Sequence, residues 1–183
     1  ASFFDTKECD VQSREFHTIT GTYKGKRITA ISHGIGCDNI DIVTTELDAL
    51  KNIDFTTRTL KEKLTQMDLV RIGTCGGLQE NTPVGTFICS EKSIGFEGLL
   101  NYYAGRDKIC DLAFEKAFTE HLGWDYHNLP SPYVFDNDPS VLNQICTEDA
   151  GMIRGVTISC GGFYGPQGRE IRIPLSDPKR NEK

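Results

Sequence analysis

Long apolar runs, C-x-x-C cysteine pairs and an excess of basic charge are all missing from this chain of 183 residues. With no stretch of 18 or more apolar residues, no membrane-spanning helix is expected. The opening residues ASFFDTKECD lack the basic start and apolar core of a secretion signal. Lys and Arg number 20 against 26 Asp and Glu, a net charge of -6, which disfavours a protein that neutralises nucleic-acid phosphates over a broad basic surface. A few local arginines could still hold one small anion, so a small-molecule partner fits better. The seven cysteines are odd in number and scattered, a pattern that reads as reduced and cytoplasmic. Cys89, inside the apolar Thr86–Cys89 segment, reads as a small buried hydrophobe. The four histidines show no zinc-type spacing with the cysteines, so no metal centre is expected from them. Dinucleotide and P-loop fingerprints also fail. Asn39 stands where Gly34-x-Gly36 would need its third glycine, and Gly21-x-x-x-Gly25-Lys26-Arg27 is one residue short and lacks the Ser or Thr that ligates magnesium.

What remains is ordinary globular composition, 38% hydrophobic and 25% charged, at a length that suits one domain over 1–183. Phe16–Tyr23 and Arg27–Ser32, separated by Lys24-Gly25-Lys26, predict a hairpin. Ile40, Val43, Leu47 and Leu50 recur at helical spacing, with Asp38 as the expected N-cap. Leu69–Ile72 reads as a buried strand ending in Gly73-Thr74-Cys75-Gly76-Gly77, and Val84–Ser90 as another. Helical patterns cover Phe114–Leu122 and Val141–Glu148. Gly155–Ser159 reads as a strand that delivers the chain to a glycine-rich loop, and Glu170–Ile173 follows that loop. Strands and helices in this order imply an α/β fold.

Two segments carry candidate chemistry. An arginine inside an apolar strand needs an anion, since an unpaired buried charge is costly. Arg71 has either an internal carboxylate or a bound phosphate to choose from. The glycines after it would let backbone N–H groups and the Thr74 hydroxyl reach the same oxygen cluster. In Gly161-Gly162-Phe163-Tyr164-Gly165-Pro166-Gln167-Gly168-Arg169, glycine and proline keep the backbone out of regular structure while an aromatic face, an amide and a guanidinium converge. A flat heterocycle could stack on Phe163. Gln167 offers a donor and an acceptor, and Arg169 a cationic fork, to the edge of a base such as uracil.

On these residues the chain resembles the uridine phosphorylases of the nucleoside phosphorylase superfamily, from about Glu8 to its end. Phe163, Gln167 and Arg169 match the family's Phe-x-x-x-Gln-x-Arg base-binding motif, and Ser32-His33-Gly34-Ile35-Gly36 resembles its Thr/His-Gly-x-Gly loop. The resemblance implies a mixed central β-sheet flanked by helices. Arg71 and Thr74 then match the phosphate-binding, catalytic Arg-x-Gly-Thr pair, and Thr74 and Gly76 fall on the nucleoside side. Arg14, in Ser13-Arg14-Glu15-Phe16, matches an arginine that reaches the phosphate of a neighbouring subunit, which implies a homodimer or a hexamer built of dimers. Glu46 matches a carboxylate that pairs the Arg71-type arginine. Glu15 matches one that in some relatives helps hold a monovalent cation, although Asn39 replaces a serine that shares the ion. The implied reaction is reversible phosphorolysis of uridine to uracil and ribose 1-phosphate, with inorganic phosphate as co-substrate and no organic cofactor.

The family's Gly-Asp-Pro-x-Arg phosphate loop and Glu-Met-Glu ribose motif are not found in these residues, so the domain is expected to lack both segments. A purine nucleoside phosphorylase or a nucleosidase of the same superfamily is the alternative reading, and a non-catalytic nucleoside-binding protein is the second. Arg71 argues against hydrolysis, which needs no cationic phosphate pocket. Gln167 and Arg169 argue for a pyrimidine, since purine-specific relatives usually place a carboxylic acid near the base.

Overall fold

Two-residue turns fold the N-terminal segment into an antiparallel meander, in a computed structural model that describes residues 3–147, 151–179 and 182. Strands β1 (Thr6–Ser13), β2 (Phe16–Tyr23) and β3 (Lys26–Ser32) pair in that order. The register Tyr23↔Lys26 leaves Lys24 and Gly25 as turn residues, both with positive φ, the geometry that matches strand twist in a tight hairpin. The register Ser13↔Phe16 leaves Arg14 and Glu15 at the other turn, with Arg14 at φ 54°. The expected hairpin is present, and β1 is a third strand that the sequence pattern did not reveal. As the central strand, β2 is the buried one, with Ile19 and Thr20 inside.

Helix α1 (Cys37–Asn52) carries Ile40, Val43 and Leu47 on its sheltered side, whereas Leu50 is exposed. Its N-cap is Gly36 and not Asp38, which lies in the first turn, where its charge still complements the helix dipole. At the other end the buried Asn52 donates to Asp48 Oδ1 (2.7 Å) and accepts from the Thr65 N–H (2.7 Å), pinning the chain beyond the short pair β4 (Ile53–Asp54) and β5 (Thr59–Leu60) to the helix. These elements form one compact unit, 1–66; residues 67–183 form a second.

In the second unit, β6 (Ile88–Gly95) pairs antiparallel with β7 (Tyr133–Asp136) and parallel with β8 (Ile153–Ser159), so the sheet is mixed. The core lies where β6 meets β7: Ile94, Tyr133 and the fully enclosed Val134. Helix α2 (Leu112–Leu122) begins where Asp111 accepts the Phe114 N–H (3.0 Å) and ends at left-handed Gly123. Helix α3 (Pro139–Ile145) begins two residues before the apolar pattern, because Asp138 caps it and Pro139 fits its first turn. Glu148, the expected end of that helix, lies outside the described residues. Among the described residues no helix is long and apolar enough to cross a membrane.

The buried strand expected at Leu69–Ile72 does not form. A short apolar run becomes a strand only with a ladder partner, and no strand among the described residues pairs with this one. Residues 67–78 are irregular, and Leu69, Val70 and Ile72 are exposed. The strand expected at Val84–Ser90 is displaced to Ile88–Gly95, beyond a turn in which the Thr86 N–H meets Pro83 O (3.1 Å). Glu170–Ile173 is likewise irregular, with Ile171 and Ile173 exposed. Cys89 is buried as expected, and burial, with the Cys146 thiol nearby, pushes its thiol up.

Candidate functional site

The carboxyl end of β8 hands the chain to the 161–169 loop, the position at which parallel sheets characteristically present ligands. Gly165–Gln167 forms one turn of 3-10 helix that stops at left-handed Gly168. The Gln167 and Arg169 N–H groups both donate to Tyr164 O, at 3.0 and 2.9 Å, which brings residues 163, 167 and 169 onto one short arc. Gly162 is required here, because a Cβ built on it would lie 2.9 Å from Pro166 Cγ.

The three base-binding candidates do converge, and each is engaged with the loop itself. Gln167 Nε2 donates to Gly162 O (3.0 Å). Arg169 Nη1 donates to Phe163 O (2.8 Å), and its guanidinium carbon stands 4.1 Å from the centre of the Phe163 ring. Tyr164 meets the same ring edge-on, with centroids 5.2 Å apart. The guanidinium therefore covers a Phe163 face on which a flat base would stack. Arg169 also comes near the glycine-rich segment, since a Cβ built on Gly76 would lie 3.6 Å from its Nη2.

Arg71 is exposed on an irregular segment, so the argument that burial compels it to find an anion does not hold. Its guanidinium folds over its own chain, with Nη1 3.0 Å from the Cβ position of Gly73. Thr74 is exposed between Gly73 and Gly76. This unit thus gathers Phe163, Gln167, Arg169 and Gly76, with Arg71 and Thr74 on the strand of chain that contains Gly76.

In the first unit Arg14 projects from the β1–β2 turn, its side chain 76% exposed and its Nε 3.7 Å from Glu15 Oε2. A positive φ at a non-glycine residue is uncommon and costs free energy, so the turn holds Arg14 outward against a local backbone preference. The Cβ position of Gly34 lies 3.3 Å from Glu15 Cγ and 2.8 Å from Asn39 Nδ2, so Glu15 and Asn39 meet at this glycine. Glu46 is exposed on α1.

His33 belongs to the Ser32–Gly36 loop already singled out, whereas Glu97 escaped the sequence reading. His33 holds a buried Nδ1 without a hydrogen-bond partner. Glu97 lies two residues beyond the end of β6, with Tyr133 as partner to one carboxylate oxygen and none for the other, which is buried. An acidic residue between Phe96 and Gly98 at a strand end was the available signal. A cavity of about 580 Å³ lies elsewhere in the second unit, against α2 and Trp124. The charges at its wall are paired with each other, Arg106 Nη2 with Glu115 Oε1 at 2.6 Å, so it offers no free cation comparable to Arg71.

Residues 1–178 match the family model described as Phosphorylase superfamily. Among curated relatives, the purine nucleoside phosphorylase DeoD-type 1 of Vibrio cholerae is 28% identical over 171 residues, covering 86% of this chain and 61% of the relative. The DeoD-type purine nucleoside phosphorylase of Thermoanaerobacter sp. is 26% identical over 145 residues, covering 75% and 57%. Among solved structures, a Trypanosoma brucei nucleoside phosphorylase described as showing uridine phosphorylase activity superposes with a TM-score of 0.72 at 24% identity, over 97% of this chain and 62% of its own. One of two uridine phosphorylases from Phytophthora capsici gives 0.55 at 19% identity, over 99% and 60%. The chain thus spans about three fifths of the length of these relatives.

Proposed function

We propose, from the premise that this chain belongs to the phosphorylase superfamily, that the intact protein is a nucleoside phosphorylase acting on uridine. The observation that carries the reading is the Phe163, Gln167 and Arg169 arc, with Arg169 near Gly76. An aromatic face, an amide and a planar cation suit an N–H flanked by two carbonyls, which is the edge uracil presents. In this reading Arg71 and Thr74 hold phosphate. A phosphate oxygen attacks the anomeric carbon, the glycosidic bond breaks, and its electron pair leaves on the base. Arg169 and Gln167 disperse that charge over the uracil carbonyls, and Phe163 walls the pocket. No group on the protein needs to form a covalent bond.

Arg14 of one subunit would complete the phosphate site of its neighbour, in a homodimer or a hexamer of dimers. Glu46 would support Arg71, and Glu15 would contribute to a monovalent cation site. We read the two compact units as parts of one phosphorylase-like domain, as a family match running from residue 1 to 178 suggests. The cysteine pattern fits work in the cytoplasm. A purine substrate is the second reading, favoured by the names of the Vibrio and Thermoanaerobacter relatives.

The test is base release by the full-length protein from uridine and from inosine, each with and without inorganic phosphate. Phosphate-dependent release of uracil is expected. Release of hypoxanthine alone would establish the purine reading, equal release without phosphate would make the protein a nucleosidase, and no release under any condition would favour a binding protein.

A further inference from the structure

The ends of three strands meet at Glu97. In the antiparallel ladder Gly95 stands opposite Tyr133, and in the parallel ladder it stands opposite Ser159. Gly95 has no side chain, and any Cβ there would collide with the Tyr133 ring, so the ring lies across the strand at that point. Side chains two apart on a strand share a face. The ring therefore delivers its hydroxyl to Glu97, which accepts the bond at Oε1. On the other side the ladder is prolonged by the Phe96 N–H donating to Ser159 O (2.8 Å), and two residues on, Gly161 comes against Glu97. A Cβ built on Gly161 would sit 3.3 Å from Glu97 Cβ and 3.8 Å from its Cα. Gly161 is the residue at which the 161–169 loop begins.

We propose that Glu97, held by Tyr133, is the positioning residue that seats this loop, and so sets where Phe163, Gln167 and Arg169 present themselves to a base. The base-directed half of the proposal rests on the function proposed above; the seating itself does not. Its logic is mechanical. Gln167 and Arg169 draw their order from bonds to Gly162 O and Phe163 O, and those carbonyls are fixed only if the chain entering at Gly161 is fixed. Glu97 also brings an unmatched buried oxygen, Oε2, to this spot. An acceptor without a donor is costly to bury, and a site under selection for stability alone would favour an apolar residue there.

The experiment is amide hydrogen exchange on the full-length protein and on three variants, Tyr133→Phe, Glu97→Ala and Glu97→Gln, read alongside nucleoside and phosphate KM. Tyr133→Phe removes only a hydroxyl and keeps the core filled, so it stays informative should Glu97→Ala fold poorly. In Tyr133→Phe and Glu97→Ala the amides of Gln167, Gly168 and Arg169 are expected to exchange about tenfold faster, the effect of losing roughly one hydrogen bond, while those of α2 keep their wild-type rates. Nucleoside KM should rise by a similar factor with phosphate KM unchanged. Glu97→Gln, which retains an oxygen for the Tyr133 proton, should stay near wild type in both. Unchanged loop exchange in Tyr133→Phe and Glu97→Ala overturns the proposal, as does acceleration spread equally over α2. If Arg169→Ala impairs uridine turnover while the Glu97 and Tyr133 variants leave the loop unmoved, the seating fails and the function stands. If the loop loosens as expected but the wild type takes no nucleoside, the function fails and the seating stands.

Discussion

Replacing Arg169 by alanine tests the proposed base site most directly, and the size of the loss distinguishes two ways the residue could act. In the free protein its guanidinium already donates to Phe163 O at 2.8 Å and covers the Phe163 ring at 4.1 Å. A hydrogen bond from a charged donor contributes about 1.5–3 kcal/mol and a partly exposed cation–π contact about 0.5–1 kcal/mol. If the arginine must leave both to make way for uracil, its bond to the base is largely offset by the contacts it abandons. The net loss in Arg169→Ala is then under about 1 kcal/mol, or less than roughly fivefold in kcat/KM. If it stays in place and offers its free N–H groups from there, with the base on another face of Phe163, nothing is abandoned. The loss then approaches about 1.5–3 kcal/mol, or roughly 10- to 150-fold. Initial rates at saturating phosphate, with uridine varied, measure kcat/KM, and phosphate titration at fixed uridine supplies the control. Arg169→Lys keeps the charge but not the planar fork and should recover only part of the loss. A loss under roughly fivefold in Arg169→Ala would rule out the in-place mode, and an equal rise in phosphate KM would refute the placement of Arg169 at the base.

The remaining predictions concern stability, assembly and pH. Glu115 Oε1 accepts from both Arg106 Nη2 (2.6 Å) and the Val134 N–H (2.9 Å), with side chains only 13% and 21% exposed at Glu115 and Arg106. Glu115→Ala should therefore cost about 2–4 kcal/mol, somewhat below a fully buried pair, and lower the urea midpoint by more than about 1 M; a shift below a few tenths of a molar would show that the network is not stabilising. If phosphate lies between Arg14 of one subunit and Arg71 of the next, Arg14→Ala and Arg71→Ala proteins should each be inactive and regain activity on subunit exchange. Exchange verified by mass without recovery would return Arg14 to an ordinary surface charge. Asp111 is held below the usual carboxylate range by the Phe114 N–H and then by Lys92. Its contribution is present above the unfolded value of about 3.9 and is lost as pH falls through the depressed folded value, so urea midpoints should drop on acidification below about pH 4, and less steeply in Asp111→Asn.

Local chemistry made much of the molecule legible. The Lys24-Gly25 turn, the α1 periodicity, the helical pattern ending at Leu122 and the 161–169 loop each follow from preferences acting within a few residues, and so each was readable. Where the reading failed, the cause was non-local. Leu69–Ile72 has the composition of a buried strand, but no strand among the described residues pairs with it. The argument for Arg71 from burial failed with it. β1 was missed because its polar residues, Thr6 to Ser13, show no apolar alternation, and the hairpin partner β2 alone makes it a strand.

By itself the sequence determined the family, because Phe163, Gln167, Arg169 and the Arg71–Gly76 segment are motifs of type and spacing that exist in the chain whether or not it folds. Only the tertiary structure decided that Arg169 rests on Phe163 in the free protein, that it comes near Gly76 far back in the chain, and that Glu97 stands against Gly161. Those facts depend on which strands pair and in what register. Register is set by the summed burial and hydrogen bonding of whole strands, which no window of the sequence contains.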